Sequence, residues 1–346
     1  MSTVSRIGLD TAKNVLQVHA VDVSGQVVVT RRLRRGQVLE WFARLDRDAE
    51  CVVGVEATGG SHYWARSLQR LGYEVRILNA QAVKPYRQGQ KNDARDAAAI
   101  CEAVARASVA ETPIKSEAQQ SLLAEQSYRR RLVNQRTGLG NQLRGLLSEF
   151  GVVIGQGLSR LRRRLPELAE DADNGLPDGL RRVLAEGHAE LVWLDEQIQS
   201  WDRHFAARAR ADDRARRLME LAGIGPLTAL RLIAVCGDGT AWNNGRAFGA
   251  NLGFAPRQRS SGEQVRLGSM TRHGDRELRT LLIHGARAAM RHLDESTPLG
   301  RWVNGLQRRR HRNIAAVALA HKNARIAWAL LAHATQYRPA QDQAMA

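Results

Sequence analysis

Apolar positions in the first eighty residues fall in short runs rich in β-branched side chains. Residues 4–10 (VSRIGLD), 15–22 (VLQVHAVD) and 26–33 (QVVVTRRL) read as strands, and the turn pair Ser24-Gly25 makes a hairpin of the second and third. The pattern then changes to an alternation of helix and strand. Residues 37–45 have helical spacing, 51–55 are a short apolar strand, 61–71 are a helix stopped by Gly72, and 74–78 are another strand. An antiparallel start followed by this alternation predicts an α/β sheet of ribonuclease-H type. An Ala-rich helix then begins at Asn92 or Asp93, in KNDARDAAAICEAVARA.

Beyond residue 116 the pattern is helical almost throughout. Leu132, Leu139 and Leu146 recur every seven residues, with Leu143 and Phe150 four after the last two; Leu184, Leu191, Ile198 and Phe205 repeat the spacing, interleaved with Leu194 and Trp201. Two long helices with coiled-coil seams follow, joined by a Gly- and Pro-containing connection with one short basic helix. Their seams serve either an intramolecular antiparallel pair or a dimer contact. Residues 218–234 read as helix, Gly-Ile-Gly turn, and a second helix with Pro226 in its first turn, a helix-hairpin-helix pattern. Gly223 and Gly225 in that turn either approach a phosphate or simply shape the chain. A short helix over 243–252, a loop over 253–274, an amphipathic helix over 275–293 and a last helix over 314–334 complete the chain. The domains expected are 1–112 (α/β), 113–215 (long helical coiled-coil arm), 216–338 (mostly α-helical) and a tail, 339–346.

Charge sharpens this division. The 346 residues carry 52 Lys and Arg against 35 Asp and Glu, a net +17, so polyanions are the expected partners. Residues 1–110 hold 16 basic and 11 acidic side chains, 111–215 hold 16 of each, and 216–346 hold 20 and 8. The surplus is therefore concentrated in the last third. Cys51, Cys101 and Cys236 are isolated, with no zinc-ligand spacing. Neither a secretory signal nor an apolar stretch long enough for a bilayer is visible, which implies a soluble, cytoplasmic protein without a membrane partner.

Two constellations carry chemistry. Asp10 and Glu56 fall at the ends of neighbouring strands, and Asp93 and Asp96 stand three apart on one face of a helix start. Singly, these are turn, surface and helix-cap acids; together they form an oxygen-rich set suited to Mg²⁺ on a scissile phosphate. In GFAPRQRSSGEQVRLGSMTRHG, residues 253–274, a Ser-Ser-Gly turn lies among Arg257, Arg259, Arg266 and Arg272. The segment is either a basic surface loop or a hydroxyl nucleophile among guanidinium groups able to grip a phosphodiester. Arg308, Arg309, Arg310 and Arg312 form a further run, read as a nucleic-acid backbone contact or a solvated helix end.

GLDTAKN at 8–14, VEATGG at 55–60 and KNDARDA at 91–97 resemble the DEDD domain of insertion-sequence transposases related to Holliday-junction resolvases of the RuvC type. The segment around Ser261 is similar to the second, serine-bearing domain of the same transposases. The resemblance implies an α/β ribonuclease-H-like (RuvC-like) domain whose four metal-binding acids are Asp10, Glu56, Asp93 and Asp96. It also implies Ser261, followed by Gly262, as a nucleophile that forms a phosphoserine with DNA, Ser260 being the reserve candidate. Donor and target DNA, a structured guide RNA and assembly as a homodimer or homotetramer are implied with it. Because the balanced-charge arm separates acids from serine, the composite site is expected to form between protomers. The competing expectations are a metal-dependent junction endonuclease with a structural serine, and a non-catalytic nucleic-acid assembly protein.

Overall fold

A computed structural model describes residues 3–90, 92–261 and 264–338. Lys91 of the third acid motif, Gly262 after the candidate serine, and the tail 339–346 lie outside the described residues. The chain divides into two compact units, Met1–Glu117 and Ala118–Ala346. The helical arm and the serine-bearing region, expected as separate domains, thus fall in one unit.

The first unit is a six-stranded mixed sheet in the order β3-β2-β1-β4-β5-β6. Its strands are β1 (Val4–Thr11), β2 (Val15–Val21), β3 (Val27–Arg34), β4 (Arg47–Glu56), β5 (Glu74–Leu78) and the two-residue β6 (Glu111–Thr112). β1, β2 and β3 form an antiparallel meander, whereas β1, β4 and β5 run parallel. Between them lie helices α1 (Val38–Arg44), α2 (Ser61–Arg70), the one-turn α3 (Ala80–Val83) and α4 (Asp93–Val104). The parallel strands are the most apolar because both faces are covered. One cluster joins Val53, Val55 and Ile77 to Trp64 and Leu68 of α2; the other joins Leu78 to Ile100 and Val104 of α4.

In the second unit α5 (Glu117–Glu149) and α7 (Asp178–Ala211) run antiparallel. Arg129 meets Asp202 at 2.6 Å, Arg136 meets Asp195 at 2.7 Å, and Gly187 sits against the Leu143 side chain. The heptad positions therefore pack within the chain. The seam is offset from the simple sevenfold series: Leu132, Leu143 and Leu147 are fully buried, Leu139 and Leu146 only partly, and Phe150 is exposed. α6 (Leu158–Glu170) explains the offset, since its Leu161, Leu165 and Leu168 cover the distal half of the pair. The remaining helices are α8 (Asp213–Met219), α9 (Pro226–Cys236), α10 (Gly245–Asn251), α11 (Arg276–Ala289), α12 (Pro298–Arg309) and α13 (Arg312–Ala332). α9 and α13 are apolar on most sides and form the centre of this cluster. The segment expected as an open loop instead contains a small antiparallel hairpin, β7 (Pro256–Gln258) and β8 (Leu267–Met270).

Candidate active site: four carboxylates and a serine hairpin

Strand register and one helix bring the acids together. β1 and β4 are parallel neighbours with Leu9 opposite Val55, so Asp10 and Glu56 follow at the same level on adjacent strands. Two residues before each acid stands a glycine, and Gly8 pairs with Gly54. A methyl group on Gly8 would lie 2.0 Å from the Ala97 carbonyl oxygen, and one on Gly54 would lie 2.9 Å from Cβ of Val104. Helix α4 thus rests directly on the two strand backbones, which only glycine permits. Its N-terminus, capped by the Asn92 side chain accepting from the Arg95 N–H at 2.9 Å, delivers Asp93 and Asp96 to the acid-bearing strand ends.

Electrostatics record the convergence. Burial, reinforced by the Asp96, Asp93 and Glu56 carboxylates, pushes the Asp10 carboxyl up to about 6. Arg87 partly offsets this crowding by donating to Asp96 at 3.2 Å, and the two residues share a small cleft with Glu56. Among the described residues no three such side chains close into a ready-made metal-binding group. The acids converge without closing. Their all-oxygen donor chemistry and mutual repulsion fit a hard divalent cation, and Arg87 holds one of the carboxylates. Arg87 and the Gly8–Gly54 pair escaped the sequence reading. The repeated pattern of glycine two residues before an acid, in GLD and GVE, was the available signal.

In the second unit the two serines differ. Ser260 Oγ accepts from Gln258 Nε2 at 2.9 Å and from the Arg266 backbone N–H at 3.3 Å, so it is part of the hairpin's internal bonding. Ser261 stands one residue further, paired through its backbone with Gln264, and its hydroxyl makes no hydrogen bond among the described residues. It opens on a groove of about 460 Å³ lined also by Arg257, Arg259, Gln264 and Arg266. Three of the four predicted arginines are therefore brought to Ser261. The fourth, Arg272, lies at the hairpin's root with φ 62°, a left-handed conformation that reverses the chain toward α11.

The roots are held by residues that the sequence reading did not single out. Arg279 is buried and donates to the carbonyls of Leu252 at 2.8 Å and His273 at 2.6 Å, one on each side of the hairpin. Arg231 of α9, also buried, donates to Asp275 at 2.8 Å. Its Nη1 lies 3.0 Å from Glu277, off the axis of a hydrogen bond but close enough for an ion pair. Asp275 in turn caps α11 by accepting from the Leu278 N–H. Nothing about an arginine in the apolar run LTALRLIA fixed its partner in advance. Gly223 is a packing residue: a methyl group there would lie 2.6 Å from the Gly285 carbonyl oxygen on α11, whereas Gly225, the residue before α9, has open space beside it. Arg308, Arg309, Arg310 and Arg312 are all exposed where α12 gives way to α13.

Comparison with known proteins accounts for both halves. Residues 7–152 match the DEDD transposase model of IS110 type, and residues 215–299 match that of the transposase IS116/IS110/IS902 family. The chain is 46% identical over 338 residues to a probable family 20 transposase of Pseudomonas aeruginosa, covering 97% of this chain and 99% of that one. It is 40% identical over 339 residues to the transposase for insertion sequence element IS1111A of Coxiella burnetii, covering 98% and 92%. It is 36% identical over 338 residues to the transposase for insertion sequence element IS1328 of Yersinia enterocolitica, covering 97% and 99%. Among the described residues no helix is long and apolar enough to cross a membrane. With a DEDD-type α/β unit at one end and a helical unit at the other, the chain belongs to the IS110/IS116 family of insertion-sequence transposases, enzymes that cut and rejoin DNA.

Proposed function

We propose that this transposase breaks and reseals DNA through Ser261, with Asp10, Glu56, Asp93 and Asp96 acting on the same linkage as ligands of Mg²⁺. The observation that carries the serine assignment is the contrast between adjacent hydroxyls: Ser260 is engaged within the hairpin, whereas Ser261 faces a groove of three arginines. Oγ of Ser261 attacks phosphorus; an Oγ–P bond forms, the bond from phosphorus to one deoxyribose oxygen breaks, and that oxygen leaves carrying a proton. The phosphoserine keeps the ester's bond energy for rejoining. Arg257, Arg259 and Arg266 hold the non-bridging oxygens and stabilise the charge that develops on them. When bound, the metal supplies charge neutralisation at the scissile phosphate. Arg87 positions the Asp96 side chain by donating to it.

The strand order, an antiparallel meander continued by parallel strands, supports a ribonuclease-H-like (RuvC-like) reading of the first unit. Elsewhere, Arg272 at the hairpin root, the exposed Arg308, Arg309, Arg310 and Arg312, and the open Gly225 end of the turn that Gly223 packs in place are assigned to nucleic-acid backbone. These contacts carry no base sequence, so we assign target choice to base pairing by a structured guide RNA, with the protein working as a homodimer or homotetramer.

A suicide DNA substrate tests the chemistry. The wild-type chain with Mg²⁺ is expected to yield a protein-linked strand whose modified residue is Ser261, and Ser261→Ala to yield none while binding the same DNA. Normal cutting and rejoining by Ser261→Ala overturns the assignment in favour of a metal-dependent endonuclease. Replacing all four arginines of the 308–312 run by alanine is expected to weaken binding to every DNA sequence alike and to reduce the slope of log affinity against log salt by roughly 3–4. A change in target choice instead would remove them from the backbone role.

A further inference from the structure

The last two helices and α10 enclose a second basic groove, distinct from the one at Ser261. Gly245 and Gly249 let α10 lie against α13: methyl groups there would come within 2.8 Å of the Arg325 carbonyl oxygen and 2.5 Å of His321 Nε2. Beside this crossing opens a groove of about 930 Å³ whose wall includes Arg246, Trp302, Lys322, Arg325 and Trp328. That volume lies within the span typical of sites for small organic groups. Its lining contains three exposed cations and no carboxylate, and among the described residues Arg246, Lys322 and Arg325 have no acidic partner. A cluster of unpaired positive charge beside a concavity is set for an anion.

The aromatic groups make the ligand more specific than a phosphate. Trp328 is fixed, its Nε1 donating to the Gly239 carbonyl at 3.0 Å. Trp302 is half-buried, and the Lys322 ammonium lies over its ring, 4.8 Å from the ring centre. That cover is a single flexible chain. Swinging it aside exposes a π surface flanked by Arg246 and Arg325 and leaves the ammonium free to pair with a phosphate. Flat aromatic face and adjacent cations are the two elements by which proteins hold unpaired nucleotides. A duplex presents its phosphates but keeps its base faces stacked and hidden.

We propose that this groove binds an unpaired nucleotide of a single-stranded nucleic acid, its base stacked on Trp302 and its phosphates held by Arg246, Lys322 and Arg325. The site is separate from the proposed Ser261 chemistry, so phosphoserine trapping succeeds or fails independently of it. Its test measures binding of the full chain to labelled oligo(U), oligo(dT) and a duplex of equal length. Trp302→Ala is expected to lose roughly five- to a hundredfold in affinity for the single strands, to leave the duplex nearly unchanged, and to be rescued by Trp302→Phe. Because Trp302 also packs on the core, a second measurement uses the unmutated chain: photocrosslinking of 5-iodouracil oligonucleotides is expected to label Trp302. Absence of that crosslink, unaltered single-strand binding by Trp302→Ala, or an equal loss on the duplex overturns the proposal.

Discussion

The acid site and the serine hairpin reach their positions by opposite means. The carboxylates stand on strand ends and a helix start whose backbones touch at Gly8 and Gly54, so their spacing is set by the core of the first unit. The serine stands at the tip of a short exposed hairpin held at its roots, where Arg279 and Arg231 are buried. A site that gathers charge needs a scaffold stiff enough to withstand the repulsion it creates. A group that must meet a large polyanion does better on a projection whose base is fixed and whose tip is open.

The two modes of support differ in how they break. Asp10→Asn is expected to cost more than the roughly 10–100-fold typical of losing a residue behind a metal ligand, with DNA affinity in gel shift largely kept; a variant that recombines normally removes the acids from the reaction. Arg231→Met leaves Asp275 without its buried ion-pair partner, while Glu277 keeps Arg130 at 3.3 Å. It is expected to lower the stability of the second unit by about 3 kcal/mol, the lower end of the cost of breaking a buried pair, seen in denaturant melts, and to loosen the hairpin to proteolysis while Ser261 is untouched. Gly8→Ala is expected to destabilise the first unit by about 1–3 kcal/mol through overpacking and, below its melting temperature, still to impair Mg²⁺-dependent cutting. A variant with wild-type melting and activity breaks the claim that backbone contact sets the acid spacing.

The smallest effect sharpens the same contrast. Burial, with Lys115 and Arg66 nearby, pulls the His62 imidazole down to about 4. Its folded value is below the ordinary 6.5, so the unfolded chain binds the proton first. The His62 contribution to the stability of the first unit is therefore expected to fall as pH drops from about 6.5 to about 4, against an opposite contribution from Asp10, whose raised value of about 6 lets the folded chain bind that proton first. His62→Gln, followed by thermal melts, should make the first unit lose less stability than the wild type between about pH 6.5 and about pH 4; an unchanged slope rules out a contribution from His62.

How much was legible depended on whether a feature was local. The longer strands, the hairpin turn at Ser24-Gly25 and the long helices follow from spacing within a few residues, and the sequence reading found them; it left the cap between Asn92 and Asp93, and Asn92 is the one that accepts the bond. Asp10, Glu56, Asp93 and Asp96 were recognisable as acids at element ends, and the structure brings their elements together. Arg87, Arg231 and Arg279 were not, because an arginine's sequence neighbours do not reveal which distant carboxylate or carbonyl it reaches. The β7–β8 hairpin was missed for a related reason. Its strands are short, fully polar in part, and defined by pairing across nine residues rather than by periodicity. The seam offset in the arm arises from α6, whose docking position no heptad count supplies.

The crossing at Gly8 bears on how the enzyme tolerates variation. Ala97, whose carbonyl meets Gly8, is the immediate neighbour of Asp96. A misfit there has no side-chain torsion through which to relax, so displacement passes along the peptide chain to the carboxylate itself. A core residue crowded several shells away can be absorbed before it reaches a site; here one added methyl group is a single peptide unit from a carboxylate proposed to hold the metal.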